Sequence, residues 1–227
     1  IVNLCLEHGA RLVHVSSVAA LGSSKNQAPV DERDYWEYEP SMSNYAISKY
    51  ESEMQVWRGI AEGLDAVIVN PSVILGAAAG SKGSGAIFSL INKGLKYYPT
   101  GTVGVVDVED VATIMRSLMT DKTISGERFI INNVNLSNKE LLDKASALMG
   151  KTPPKVAVPP VVLTIAATLA TLVATIKNEK STLTIDSARA SSEKLAYSSA
   201  KLQQVLPFTY KPLETTLKEI ATRYSQQ

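Results

Sequence analysis

Two rhythms of apolar residues alternate along the chain. Short runs rich in β-branched residues, at 11–17, 65–72 and 127–132, have the length of strands. The run at 65–72 is apolar on both faces, the pattern of a parallel strand buried within a sheet. Around these runs, apolar positions recur at helical spacing. Residues 1–9 read as the end of a helix terminated by Gly9. A second helix carries Val56, Ile60 and Leu64 in one stripe and runs to about Gly63. Residues 86–96 predict a helix stopped near Tyr97-Tyr98-Pro99. Val108, Val111, Ala112, Met115, Leu118 and Met119 form the apolar stripe of another, with Asp107 or Asp110 as its cap. Ser137-Asn138-Lys139-Glu140 is a capping box that opens a helix to Gly150. Pro212-Leu213-Glu214 starts a terminal helix with Leu213, Leu217, Ile220, Ala221 and Tyr224 inward.

Other stretches fit neither rhythm cleanly. Residues 23–43 mix Asp31, Glu32, Asp34, Glu37 and Glu39 with Tyr35, Trp36 and Tyr38, between Pro29 and Pro40. Aromatic side chains need something to cover, so this is expected to be a loop over a site. Its carboxylates read as a solvated face with one or two substrate contacts. Residues 76–85 carry four glycines around Lys82 but miss the G-x-x-x-x-G-K-S/T spacing of a phosphate loop. They predict a mobile loop on the substrate side, with Lys82 a candidate partner for an anionic group. Residues 156–176 carry no charge. Pro159 and Pro160 break their start and leave about sixteen residues, or ~24 Å of helix against the ~30 Å of a bilayer core. The expectation is a helix with Ile165, Leu169, Leu172 and Ile176 packed inward. Thr164, Thr168, Thr171 and Thr175 then face a pocket or solvent. A membrane-surface anchor over 161–176 is the rival.

The candidate chemistry lies near the start of the second helix. Tyr45 and Lys49 are four residues apart, which on a helix puts both side chains on one face, one turn apart. A phenol has an unperturbed pKa near ~10. A neighbouring ammonium favours the phenolate, so the two form a plausible acid/base pair for a substrate oxygen. Tyr197 and Lys201 repeat the spacing, but only Tyr45 stands between a strand ending in Ser16-Ser17 and one ending in Asn70-Pro71-Ser72. In an open α/β sheet, reactive groups collect at the carboxyl ends of strands.

Composition narrows the classes. With 227 residues, 45% of them apolar, the chain can bury a real core, and a net charge of +1 makes no electrostatic case for nucleic acid or an anionic membrane. Cys5 is the single cysteine, which rules out an internal disulfide and fits a reducing compartment. His8 and His14 have no neighbours at metal-ligand spacing, so no metal is expected. The chain opens inside an apolar segment without Met or a basic leader, and reads as the C-terminal part of a longer one.

Val13-His14-Val15-Ser16-Ser17-Val18-Ala19-Ala20-Leu21-Gly22, then Tyr45-Ala46-Ile47-Ser48-Lys49, then Asn70-Pro71-Ser72-Val73-Ile74-Leu75-Gly76 together resemble the extended short-chain dehydrogenase/reductases. Within them, the sequence looks most like the NAD-dependent epimerase/dehydratase group and its dihydroflavonol-reductase-like and 3β-hydroxysteroid-dehydrogenase-like members. The resemblance is specific in the first half and looser after Gly150. It implies an α/β fold: a Rossmann-like, doubly wound parallel sheet whose first strands lie upstream, with a smaller, mostly helical substrate lobe. Residues 1–150 would hold the C-terminal part of the NAD(P)-binding domain with interleaved lobe segments. Residues 151–227 would be mainly lobe and C-terminal helices. Residues 104–112 resemble the family's short strand running into a helix.

The resemblance also assigns roles. Ser17, five residues before Gly22, is in the register of the family's catalytic serine and would polarise the substrate oxygen. Tyr45 would carry the proton, while Lys49 would tune Tyr45 and hold the nicotinamide ribose. Ser16, Tyr45, Lys49, Pro71, Ser72 and Val73 would line NAD or NADP, and Val18 and Lys82 would touch substrate. Val18 and Ala19 stand where the dehydratases place an acidic pair, which favours simple alcohol/carbonyl chemistry. The uncharged stretch at 156–176 points to a small, rather apolar substrate. A cytoplasmic location and a homodimer are the expected setting. A sugar epimerase of the same family and a non-catalytic NAD(P)-binding protein or fragment stay open, because the Gly-rich dinucleotide turn is absent from these residues.

Overall fold

The computed structural model describes residues 1–22, 28–34, 36–39, 42–79, 83–176 and 184–225. The first elements are helix α1 (Val2–His8), strand β1 (Leu12–Val15), a 3₁₀ turn (Val18–Ala20), helix α2 (Asn44–Ala61) and strands β2 (Ala66–Pro71) and β3 (Val73–Leu75). Helix α3 (Ala86–Asn92), strands β4 (Tyr97–Pro99) and β5 (Thr102–Asp107), and helix α4 (Val108–Thr120) follow. Strands β6 (Glu127–Ile131) and β7 (Val134–Ser137) lead into helix α5 (Asn138–Leu148). Strand β8 (Val156–Val158) and helices α6 (Pro160–Ile176), α7 (Ile185–Ala190), α8 (Ala200–Val205) and α9 (Leu213–Ser225) complete the chain. Two compact units result: Ile1–Ile74, Gly104–Val134 and Ala196–Lys211 form the first, and Leu75–Val103, Asn135–Leu195 and Pro212–Gln227 the second.

The first unit is built on a parallel sheet in the order β1-β2-β6. All six residues of β2 are buried, as its uninterrupted apolar run predicts. Alternation along the strand sorts them into two layers. Val67 and Val69 join Val13, Val111, Ile114, Leu118, Phe129 and Leu202, which brings α4 and α8 to one face. Ala66 and Ile68 join Val56 and Leu64, with Val2, Leu6 and Ile60 against them, which brings α1 and α2 to the other. The sheet is therefore doubly wound, as the resemblance implied. Gly9 ends α1 at φ 60°, the left-handed conformation that glycine adopts without strain, and its N–H caps the carbonyls of Cys5 and Leu6. At the amino end of the sheet, Arg11 pairs with Asp65 and donates to the carbonyls of Leu118, Asp121 and Ile124.

Strand β5 runs into α4 with Asp107 as its cap, accepting from the Glu109 N–H at 2.7 Å. The buried face of α4 is rotated from the predicted stripe. Val108 and Met119 are exposed, and Asp110, Val111, Ile114 and Leu118 face inward. Ile114, absent from the predicted stripe, packs with Val111 and Leu118 in the core with Val67, Val69 and Phe129, and the Lys211 backbone N–H donates to the Asp110 carboxylate at 2.9 Å. Burial raises the Asp110 pKa, against the lowering effect of that hydrogen bond. Strands β3, β5 and β7 pair in that order.

In the second unit, α5 opens on the predicted capping box, with Ser137 and Glu140 each bonding the other's backbone N–H. Leu213, Leu217, Ile220 and Ala221 are the buried face of α9, and the half-buried Tyr224 donates its hydroxyl to the Gly85 carbonyl. Helix α3 stops at Asn92, earlier than predicted, and Gly94 turns the chain at φ 82°. Tyr97–Pro99 is not merely a stop: β4 pairs in parallel with β8. The glycine-bearing stretch forms two 3₁₀ turns, Ala77–Ala79 and Gly83–Gly85, while Lys82 lies outside the described residues.

Helix α6 corrects an expectation. Its fully buried residue is Ala167, flanked by half-buried Leu163, Ala170 and Ala174, whereas Ile165 and Leu169 are 57% and 58% exposed. The helix packs on α7, whose own buried residue is Ala188, so among the described side chains the fully buried one on each helix is an alanine. The side chains of Leu172 and Ile176 lie outside the description. Thr164, Thr168, Thr171 and Thr175 each donate to the carbonyl four residues earlier at 2.8–2.9 Å, so their hydroxyls are satisfied within the helix. Among the described residues, no helix is long and apolar enough to cross a membrane. Leu169→Ala is expected to leave the melting temperature nearly unchanged. Ala167→Leu should destabilise by about 1–3 kcal/mol through overpacking. Thermal unfolding of the two variants checks the assignment of faces.

Candidate active site

Strand β1 ends at Val15, and the Ser16 N–H continues the ladder by donating to the Val69 carbonyl at 2.8 Å. Ser17 is extended and caps the 3₁₀ turn: its Oγ accepts from the Ala19 N–H at 3.1 Å. Because that contact uses a lone pair, the hydroxyl proton stays free to be donated. Val18 is half-buried within the turn.

Helix α2 packs against this turn. Its start is set by Ser43, whose Oγ accepts from the Ala46 N–H at 3.1 Å, so Tyr45 falls in the first helical turn with 55% of its surface exposed. One turn on, the Lys49 Nζ stands 6.0 Å from the centre of the Tyr45 ring. The same ammonium donates to the Val15 carbonyl at 3.2 Å. Lys49 is thus held at the carboxyl end of β1, two residues before Ser17, beside the phenol of Tyr45.

The carboxyl end of β2 lies next to that of β1. Pro71 closes β2, the Ser72 N–H donates to the Ile131 carbonyl at 3.0 Å, and Val73 opens β3. Three buried oxygens here, Ser16 Oγ, Asn70 Oδ1 and Ser72 Oγ, have no hydrogen-bond partner among the described residues. Orphaned polar atoms of this kind are uncommon in a packed interior and call for an explanation. They cluster where open α/β sheets bind their ligands. Gly104 passes close by: a Cβ there would lie 3.2 Å from the Ser72 Cβ and 2.5 Å from Asn132 Oδ1, so only glycine fits without displacing its neighbours.

Sequence reasoning passed over a buried polar group behind this edge. Asn70 donates its amide to Glu53 Oε1 at 2.5 Å and to the Ser17 carbonyl at 2.9 Å. Arg128 NH1 lies 3.7 Å from the other Glu53 oxygen. The available signal was spacing, since Glu53 follows Tyr45 and Lys49 on the same helical face. In the loop before α2, Glu37 and Glu39 are exposed as expected of a solvated face, whereas Glu32 is turned inward. Trp36 stacks on Tyr50 with ring centres 4.0 Å apart, and Glu32 accepts the Ile130 N–H at 2.8 Å. Tyr35 lies outside the described residues. Tyr197 and Lys201 do not form a second pair: α8 begins only at Ala200, and Lys201 reaches Glu127 at 2.6 Å.

The profile of the NAD-dependent epimerase/dehydratase family matches residues 1–132, more than half of the chain. A putative dihydroflavonol 4-reductase of Synechocystis sp. is 27% identical over 214 residues, covering 92% of this chain and 62% of that protein. The chain thus spans less than two thirds of that relative's length. A nucleoside-diphosphate-sugar epimerase from Pseudomonas aeruginosa superposes over 99% of this chain and 70% of its own, with a TM-score of 0.82 and 20% identity. A dTDP-glucose 4,6-dehydratase from Bacillus anthracis, solved with NAD, does so over 99% and 65%, with a TM-score of 0.73 and 17% identity. At these identities the two structures establish the fold.

His14 supplies a test of the packing beneath the site. Its Nε2 lies 3.0 Å from Ser52 Oγ, and burial first, then the Lys49 charge, lowers its pKa from 6.5. The unfolded chain therefore takes up a proton at a higher pH than the folded one, and stability falls as the pH drops below 6.5. Melting temperatures between pH 8 and pH 5 should fall more steeply for the natural chain than for His14→Gln, which cannot be protonated; parallel curves would contradict the assigned environment.

Proposed function

Because the chain belongs to the NAD-dependent epimerase/dehydratase family, we propose that the complete protein interconverts an alcohol and a carbonyl on a small, apolar substrate. What carries this reading is the placement of Lys49, bonded to the end of β1 and set beside Tyr45, on a helix packed against the turn that Ser17 caps. In the reducing direction, Ser17 donates a hydrogen bond to the carbonyl oxygen. Tyr45 delivers the proton to that oxygen as the carbon receives a hydride, which leaves an alcohol. In the reverse direction Tyr45 removes the proton. Lys49 keeps a positive charge beside the phenol and offers its remaining donors to a ribose.

The residues present suit NAD or NADP, which when bound supplies or accepts the hydride. Ser16, Pro71, Ser72 and Val73 would line the nicotinamide side, with Tyr45 and Lys49 on the ribose side. The orphaned oxygens of Ser16 and Ser72 support that placement. Val18 stands beside Ser17 on the substrate side, and no carboxylate occupies that turn, which favours reduction or oxidation over dehydration.

A dihydroflavonol is the natural first test carbonyl, offered to the complete protein with NADH and NADPH in turn and followed by nicotinamide absorbance. Tyr45→Phe is expected to cut turnover at least ~100-fold while leaving cofactor affinity within about threefold, since general acid/base groups contribute about 10²–10⁴ in rate. Tyr197→Phe should stay within about twofold, on the same scale. Equal losses at the two tyrosines would overturn the assignment.

A further inference from the structure

We propose that Glu53 and Asn70 form a positioning pair that locks the Ser17 turn to helix α2, and so fixes the direction of the Ser17 hydroxyl. This rests on the reading of Ser17, Tyr45 and Lys49 given above. Asn70 is fully buried at the carboxyl end of β2, and its amide nitrogen makes two hydrogen bonds, to the Ser17 carbonyl at 2.9 Å and to Glu53 Oε1 at 2.5 Å. The Ser17 carbonyl also accepts the Ala20 N–H at 3.0 Å. Two donors on one carbonyl fix its peptide plane, and with it the direction in which the residue projects its side chain.

Glu53 supplies the other end of the link. It lies one helical turn after Lys49 and two after Tyr45, so the grip on Asn70 comes from the helix that bears the proton donor. Its carboxylate is entirely buried, and Arg128 stands 3.7 Å away, itself held by the carbonyls of Glu32 and Asp34 at 2.8 and 2.9 Å. A buried carboxylate with one loose ion pair is costly beside an apolar residue of similar volume. Packing alone does not call for one here, where Val56 and Gly59 fill the same buried side of α2. Control of geometry does: through Asn70 the strand end is tied by one hydrogen bond to helix α2 and by another to the Ser17 turn, which links all three.

The test uses the complete protein with Asn70→Ala, Glu53→Leu and Glu53→Gln, and reads amide hydrogen exchange at Ala19 and Ala20. Asn70→Ala and Glu53→Leu should speed exchange there by about tenfold or more, the scale of one lost hydrogen bond, with Val67 and Val69 unaffected. Glu53→Gln keeps an acceptor for the Asn70 amide and should stay within about threefold on that scale. Turnover of the dihydroflavonol should follow the same order, with kcat falling and the KM for the cofactor held. Unchanged exchange at Ala19 and Ala20 in Asn70→Ala, or equal acceleration across the whole sheet, would overturn the proposal. If Glu53→Leu does not fold, Asn70→Ala decides alone. Tyr45→Phe separates the two readings: it should leave exchange unchanged and abolish turnover. Retained turnover in that variant would sink the site assignment, while the exchange data still judge the positioning pair.

Discussion

Strand β2 lies between β1 and β6 with every side chain buried, and the first unit is arranged to satisfy it. Val67 and Val69 require cover from α4 and α8, and Ala66 and Ile68 require it from α1 and α2. A strand so enclosed cannot carry an unpartnered polar group at its centre without a large desolvation cost. Its one polar residue, Asn70, therefore falls near its carboxyl end, and Ser72 follows just beyond it. Parallel pairing brings that end beside Ser16 and Ser17 at the end of β1. Burial of the strand and concentration of polar groups at one edge are consequences of the same arrangement.

Helix α2 converts that edge into a graded environment. Its Ser43 cap puts the largely exposed Tyr45 in the first turn, the half-buried Lys49 one turn on, and the fully buried Glu53 one turn further. A single helical face thus runs from solvent to interior. At the wet end the Tyr45 phenol meets solvent; in the middle an ammonium is tied to the Val15 carbonyl; at the dry end a carboxylate holds Asn70. The fold of this chain matches that of sugar-nucleotide enzymes at identities of 20% and below, and a shared fold does not by itself fix function.

What was legible in the sequence was local. The length and double-sided burial of β2, the Gly9 stop, the capping box at Ser137 and the inward face of α9 all follow from residues within a few positions of one another. The spacing of Tyr45 and Lys49 put them on one face for the same reason. What stayed hidden depended on distant partners. The buried face of α4 is set by the sheet residues Val67, Val69 and Phe129 that receive Ile114 and Leu118, and Lys211, 101 residues away, bonds Asp110 on that side. Strands β4 and β8 have three residues each, too few to show a period. In α6, apolarity alone could not tell a face of alanines that packs closely from a face of Ile165 and Leu169 that does not. Glu53 is one helical carboxylate among several in the sequence, and only the fold brings Asn70 and Arg128 to it.

The central claim is that the junction of β1 and α2 holds both the cofactor and the proton donor, with Lys49 serving each. Lys49→Ala in the complete protein tests this most directly, with nicotinamide affinity measured by titration and turnover measured on the same samples. Both are expected to fall by roughly tenfold or more, the scale of a hydrogen bond to a charged group. Loss of turnover with cofactor affinity unchanged would contradict the claim.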